Sequence, residues 1–108
     1  AVLLLDLDGF KAVNDRHGHA AGDEVLVEIA RRLCTAVRTG DLVARHGGDE
    51  FVLLLRSVHA DAQLEERVRR LAEAVQAPIA LADASVVVHA SIGVARAAHS
   101  ADTVDGLL

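Results

Sequence analysis

Leu42-Val43-Ala44-Arg45-His46-Gly47-Gly48-Asp49-Glu50-Phe51-Val52-Leu53-Leu54-Leu55 sets two apolar runs on either side of a Gly-Gly-Asp core. β-favouring runs flanking such a core predict a hairpin, because glycine takes positive φ without a Cβ penalty. Asp49 and Glu50 then sit at its tip, where adjacent carboxylates repel each other and do nothing for the turn's own stability. A cation nearby would remove the conflict.

Working outward, Ala1 to Leu5 is a continuous aliphatic run, the pattern of a central strand buried on both faces, and it runs into Asp6-Leu7-Asp8-Gly9. Phe10 to Asn14 predicts one short helical piece, closed by the glycine-punctuated stretch Arg16 to Gly22. Val25, Leu26, Ile29, Ala30, Leu33, Cys34 and Val37 recur at steps of three and four, which predicts a helix with one apolar stripe. Asp23 and Glu24 fall in its first turn, Glu28, Arg31 and Arg32 face outward, and Gly40 ends it. After the hairpin, Leu64, Val68, Leu71, Ala72 and Val75 make the inner face of a second amphipathic helix. Its outer face is Glu65, Glu66, Arg67, Arg69 and Arg70, and Pro78 stops it. Ile79 to Leu81 and Val86 to Ala95 read as a closing pair of strands, with a new helix expected after Ser100 or Asp102.

Strand, helix, hairpin, helix, strand is the order of the ferredoxin-like split βαβ arrangement, an α+β fold with an antiparallel sheet and helices on one face. In it the strand that follows the turn lies between the first two strands, antiparallel to both. Its start meets the end of the first strand, which brings Asp6 beside Asp49. Strand-end aspartates commonly cap loops. Two at one sheet edge also make a divalent-cation site, since Mg²⁺ takes one or two carboxylates together with substrate phosphates. Gly47 and Gly48 serve the turn, and their missing side chains also let a nucleotide approach the backbone amides. The six histidines lack the helical spacing or cysteine company of a zinc site and read as structural or surface groups. Cys34, on the apolar stripe, reads as a small buried hydrophobe.

With 108 residues the chain is one domain, and 52% hydrophobic content predicts a compact fold rather than disorder. Two Phe are the only aromatics, so the core is aliphatic and stacking platforms for single-stranded nucleic acid are missing. A net charge of -5 likewise argues against polymeric nucleic acid as a partner. One cysteine forbids an internal disulfide and fits a reducing compartment. No run is long and apolar enough to span a bilayer, no signal peptide opens the chain, and the piece reads as soluble, without membrane contact.

Gly47-Gly48-Asp49-Glu50-Phe51 resembles the signature of the GGDEF family, the diguanylate cyclases that join two GTP into cyclic di-GMP. Four further blocks resemble that family in order: Asp6-Leu7-Asp8-x-Phe10-Lys11, Asn14-Asp15-x-x-Gly18-His19-x-x-Gly22-Asp23, Arg38-Thr39-Gly40-Asp41 and Ser91-Ile92-Gly93-Val94. The resemblance implies a nucleotide-cyclase and polymerase-palm-like sheet. It implies Mg²⁺, or Mn²⁺, on Asp6, Asp49 and the backbone carbonyl of Leu7. Asp49 would be the base for the attacking 3′-hydroxyl, with Glu50 sharing either role. Phe10 and Lys11 join the nucleotide site with Gly47 and Gly48, Lys11 meeting phosphate.

Asn14 and Asp23 would read guanine. Its Watson–Crick edge offers N1–H and N2–H₂ donors beside the O6 acceptor, so a carboxylate accepts while an amide gives and takes. Without the resemblance, a turn former and a helix cap explain the two residues equally well. Arg38 and Asp41 correspond to the family's inhibitory site for cyclic di-GMP, with Arg67 or Arg69 as its further arginine. The resemblance also implies a catalytic homodimer and a cytoplasmic place in a bacterium, for instance as the cytoplasmic part of a larger sensor. The family domain begins one helix earlier and ends on a helix bearing Lys and Arg for the triphosphate, so residues 1–108 are read as truncated at both ends. The alternative is a catalytically silent GGDEF domain that binds GTP or cyclic di-GMP as a regulatory module. Damage to the signature would mark it, and Asp6, Asp49 and Glu50 are intact.

Overall fold

The computed structural model describes residues 1–96. In chain order the elements are β1 (Val2–Asp8), α1 (Phe10–His17), α2 (His19–Ala36), β2 (Leu42–Arg45), β3 (Glu50–Leu54), α3 (Asp61–Gln76), β4 (Ile79–Ala80), β5 (Ser85–Val86) and β6 (His89–Ala95). The expected helix after Ser100 or Asp102 lies outside the described residues. The main sheet has the order β2-β3-β1-β6, antiparallel at every pairing. Each crossover skips one strand, α1 and α2 carrying the chain past β3 and α3 carrying it past β1, which is the split βαβ arrangement the element order predicts.

The sheet has one covered face. Leu3, Leu5 and Leu7 of β1 join Phe51, Leu53 and Leu55 in a core with Val25, Leu26, Ile29 and Leu33 of α2 and Leu71 and Val75 of α3. Leu4, on the opposite face, is 39% exposed, so the aliphatic run of β1 is not a strand buried on both sides. A period-2 strand under one layer of helices needs apolar residues only at alternate positions. Among the described residues no helix is long and apolar enough to cross a membrane.

Several local expectations are corrected. The stretch from Arg16 to Gly22 is not a connection. Only Gly18 stands outside the helices, at φ 93° and ψ 165°, a region glycine alone enters readily. Asp23 and Glu24 therefore lie past the first turn of α2. At its other end α2 stops at Ala36 with Val37 extended, before Gly40 is reached. The run Val86 to Ala95 is two strands, because β5 pairs with β4 in a separate ribbon while β6 pairs with β1. Arg67, expected on the outer face of α3, is buried, and Cys34, expected inside, is exposed.

Candidate functional site

The register of β1 against β3 sets Leu5 opposite Phe51 and Asp6 opposite Glu50. Beyond the last pair the Leu7 N–H donates to the Asp49 carbonyl at 3.1 Å, tying the end of β1 to the turn. The turn closes through the His46 N–H, which donates to the Glu50 carbonyl at 2.8 Å. Gly47 takes φ 84°, as a tight hairpin requires. Gly48 has no positive φ, and a Cβ built there would meet nothing within 4 Å. The fold explains Gly47 but does not need a glycine at 48.

The result is a cluster of acids at one sheet edge. Partial burial raises the Asp6 carboxyl above its ordinary value, as do the charge of Glu50, the hydrogen bond between the two carboxyls, and the charges of Asp49 and Asp8. Asp8 itself accepts from the Ser91 hydroxyl at 2.6 Å, and Ser91 is the residue paired with Asp6 on β6. Among the described residues no three His, Cys, Asp or Glu side chains form a metal cage on their own. The donor set nevertheless fits a hard cation that arrives with further oxygen ligands, because the crowded carboxylates repel one another and a cation would relieve this. Leu7 is 3% exposed, so it can offer such an ion only its backbone.

The α1–α2 junction sets Asn14 against Gly22, the residue before Asp23. The Gly18 N–H donates to the Asn14 carbonyl at 2.9 Å, capping α1, and the Asn14 side chain lies against Gly22 in the first turn of α2. Asp23, next in sequence, is exposed and lines a cavity of about 310 Å³ with Leu26, Val27, Val43, Arg45 and Phe51. Phe10 is 8% exposed and belongs to the core, so its side chain is not free to meet a ligand, whereas Lys11 is exposed.

The Arg38-x-x-Asp41 segment folds as a turn, the Asp41 N–H donating to the Arg38 carbonyl at 3.0 Å. The Asp41 carboxylate is fully engaged. It accepts from the Arg38 N–H at 2.9 Å and the Arg56 N–H at 2.8 Å, and it pairs with the Arg67 guanidinium. Arg67 Nη1 is buried without a hydrogen-bond partner among the described residues. Arg38, Arg67 and Arg70 line one cavity of about 160 Å³, while Arg69 turns to Glu66 and Glu73.

Several of these contacts were not signalled by spacing. Arg45 Nε donates to the Gly47 carbonyl at 3.1 Å, and His46 Nδ1 lies 3.2 Å from Glu50 Oε2, so both residues before the glycines brace the turn. Their place beside the Gly-Gly pair was the available cue. The Asp8–Ser91 bond joins residues 83 apart, for which local pattern offers none.

Across residues 1–108 the sequence matches the family described as diguanylate cyclase, GGDEF domain. It is 48% identical to the diguanylate cyclase TpbB of Pseudomonas aeruginosa over all of this chain and 25% of that protein. It is 42% identical to the response regulator PleD of Caulobacter vibrioides over all of this chain and 24% of that one. The chain thus spans about a quarter of the length of these relatives. The crystal structure of the GGDEF domain of TpbB superposes with a TM-score of 0.82 at 47% identity, over 87% of this chain and 59% of that one. With a family match from first residue to last, and a solved domain of that family sharing the sheet that carries these acids, the chain belongs to the GGDEF family.

Proposed function

We propose that this domain is the catalytic part of a diguanylate cyclase, condensing two GTP into cyclic di-GMP with release of two pyrophosphates. The observation that carries the proposal is the pairing of Asp6 with Glu50, locked by the Leu7–Asp49 backbone bond. It gathers three acids where a fold of this size gains nothing from them. Asp6, Asp49 and the Leu7 carbonyl are the groups to hold Mg²⁺ or Mn²⁺. Bound there with the triphosphate, the ion would offset charge that builds on the phosphates.

The chain's own residues do the rest. Asp49, with Glu50 beside it, accepts the proton of the 3′-hydroxyl. The freed oxygen bonds to the α-phosphorus of the second GTP as the bond to pyrophosphate breaks, and the same exchange runs in the other direction. Gly48 leaves room for the nucleotide against the backbone, Lys11 reaches phosphate, and Asn14 and Asp23 read guanine. Arg38, Asp41 and Arg67 form the product-inhibition site; the shared cavity of Arg38 and Arg67 favours Arg67 over Arg69. Because Asp41 is already paired, product must compete with Arg67 for its carboxylate.

The relative DgcB of Caulobacter crescentus, whose GGDEF domain was solved in complex with c-di-GMP, supports the ligand class at 25% identity and a TM-score of 0.75. The test incubates the full-length protein with GTP and Mg²⁺ and follows cyclic di-GMP by chromatography. Wild type should accumulate product, and Asp49→Ala should lose at least about 100-fold in rate, the scale of a removed general base. Binding of GTP without turnover by folded wild-type protein would replace the cyclase with a regulatory module.

A further inference from the structure

Gly22 is a glycine without a backbone reason. It lies inside α2, its N–H donating to the Gly18 carbonyl at 3.1 Å, and it is not among the glycines with positive φ. Within a helix glycine is the poorer choice, since alanine loses less backbone entropy. What distinguishes the position is space. A Cβ built at Gly22 would fall 1.7 Å from Asn14 Oδ1, 2.8 Å from Asn14 Cγ and 3.4 Å from Asn14 Nδ2. All three nearest atoms belong to that one side chain.

The amide of Asn14 thus lies directly on the Gly22 backbone, its oxygen end inward and its nitrogen end further off. Asn14 is half-buried, its backbone carbonyl is held by the Gly18 N–H, and its side chain packs on Gly22. Asp23 follows Gly22 immediately and is exposed. The amide donor of Asn14 therefore packs on the residue next to the carboxylate acceptor of Asp23. That is the pairing guanine's O6 acceptor and N1–H and N2–H₂ donors demand, and adenine would leave the carboxylate unpaired.

We propose that Gly22 is a positioning residue for base selection: the missing side chain seats the Asn14 amide beside Asp23, and guanine specificity depends on that seat. The inference rests on the guanine role proposed for Asn14 and Asp23. It assigns Gly22 no contact with the nucleotide.

The seat makes stability and recognition move in opposite directions under one substitution. In Gly22→Ala the obstructing atoms are the end of a rotatable side chain, so the fold can yield by swinging the amide away, and the helix gains a better former. The melting temperature should stay level or rise. Calorimetry with a non-hydrolysable GTP analogue and Mg²⁺ on the full-length protein should show affinity reduced about tenfold, the scale of one hydrogen bond to the base, with the matching ATP analogue unchanged. Gly22→Ala combined with Asn14→Ala should bind no more weakly than Asn14→Ala alone, since both remove the same amide.

Wild-type affinity in a folded Gly22→Ala, alongside weakened binding in Asn14→Ala, overturns the positioning role and leaves the guanine assignment standing. Wild-type affinity in Asn14→Ala removes the guanine assignment and this inference with it. If Gly22→Ala melts early, the double variant decides. Recovery of the wild-type melt supports the seat, and an equally early melt overturns it.

Discussion

Asp41 has a carboxylate with a side chain only 2% exposed, and it meets there a guanidinium and two backbone N–H groups. Burial alone would raise its pKa. The Arg56 N–H, the Arg67 guanidinium and the Arg38 N–H more than offset that and hold it below the ordinary 3.8. A depressed folded pKa means stability that is fully present above 3.8 and lost as pH falls through the folded value. Urea midpoints measured on acidification from neutrality should therefore decline below about pH 4, and Asp41→Asn should flatten that decline. Arg67→Met leaves the charge buried without its partner and should cost about 3–5 kcal/mol at neutral pH by urea unfolding. A loss under about 1 kcal/mol would mean the pair is a surface contact in solution. The resemblance groups Arg67 or Arg69 with Arg38 and Asp41, but the burial of the pair was not legible along the chain. Arginine at an outward-reading position of α3 is ordinarily solvated, and its partner lies 26 residues away.

At the scale of elements, the two glycines at the start of α2 respond oppositely. Gly18 separates two helices that would otherwise be one, and its φ of 93° with ψ of 165° is the reason for its identity, since a Cβ there meets nothing within 4 Å. Gly18→Ala should therefore destabilise by about 1–3 kcal/mol by thermal or urea unfolding, the cost of holding a side chain in that region. Gly22→Ala should not. Sequence pattern treats the two alike, and that is why the expected loop from Arg16 to Gly22 came out as helix with a single break. The hairpin and the strand order were legible because period-2 runs and a Gly-Gly core constrain them strongly, and the meeting of Asp6 with the turn followed from topology alone. Strand ends were less so. Val86-Val87-Val88 reads as one run with β6, yet the chain changes partner inside it, from β4 to β1, and no local residue type marks the switch.

At the scale of the whole molecule, one domain cannot complete the proposed reaction. The sheet edge gathers one set of acids around Asp6, Asp49 and Glu50, which under the proposed function serves one GTP, while cyclic di-GMP contains two equivalent phosphodiester bonds. A two-fold product calls for two copies facing each other, each supplying the base for its own nucleotide. A dimer with one Asp49→Ala subunit retains a single base and can close at most one of the two bonds. Mixing wild-type and Asp49→Ala full-length protein under exchanging conditions should then lower cyclic product as the square of the wild-type fraction. An equal mixture should give about one quarter of the rate of undiluted wild type at the same total concentration, whereas independent domains would give about one half. Linear dinucleotide that still carries a 5′-triphosphate, pppGpG, should appear in the mixture as the half-finished product. A strictly linear dependence on wild-type fraction would show that one copy forms both bonds, and would detach the acid cluster described at the Asp6 edge from a symmetric mechanism.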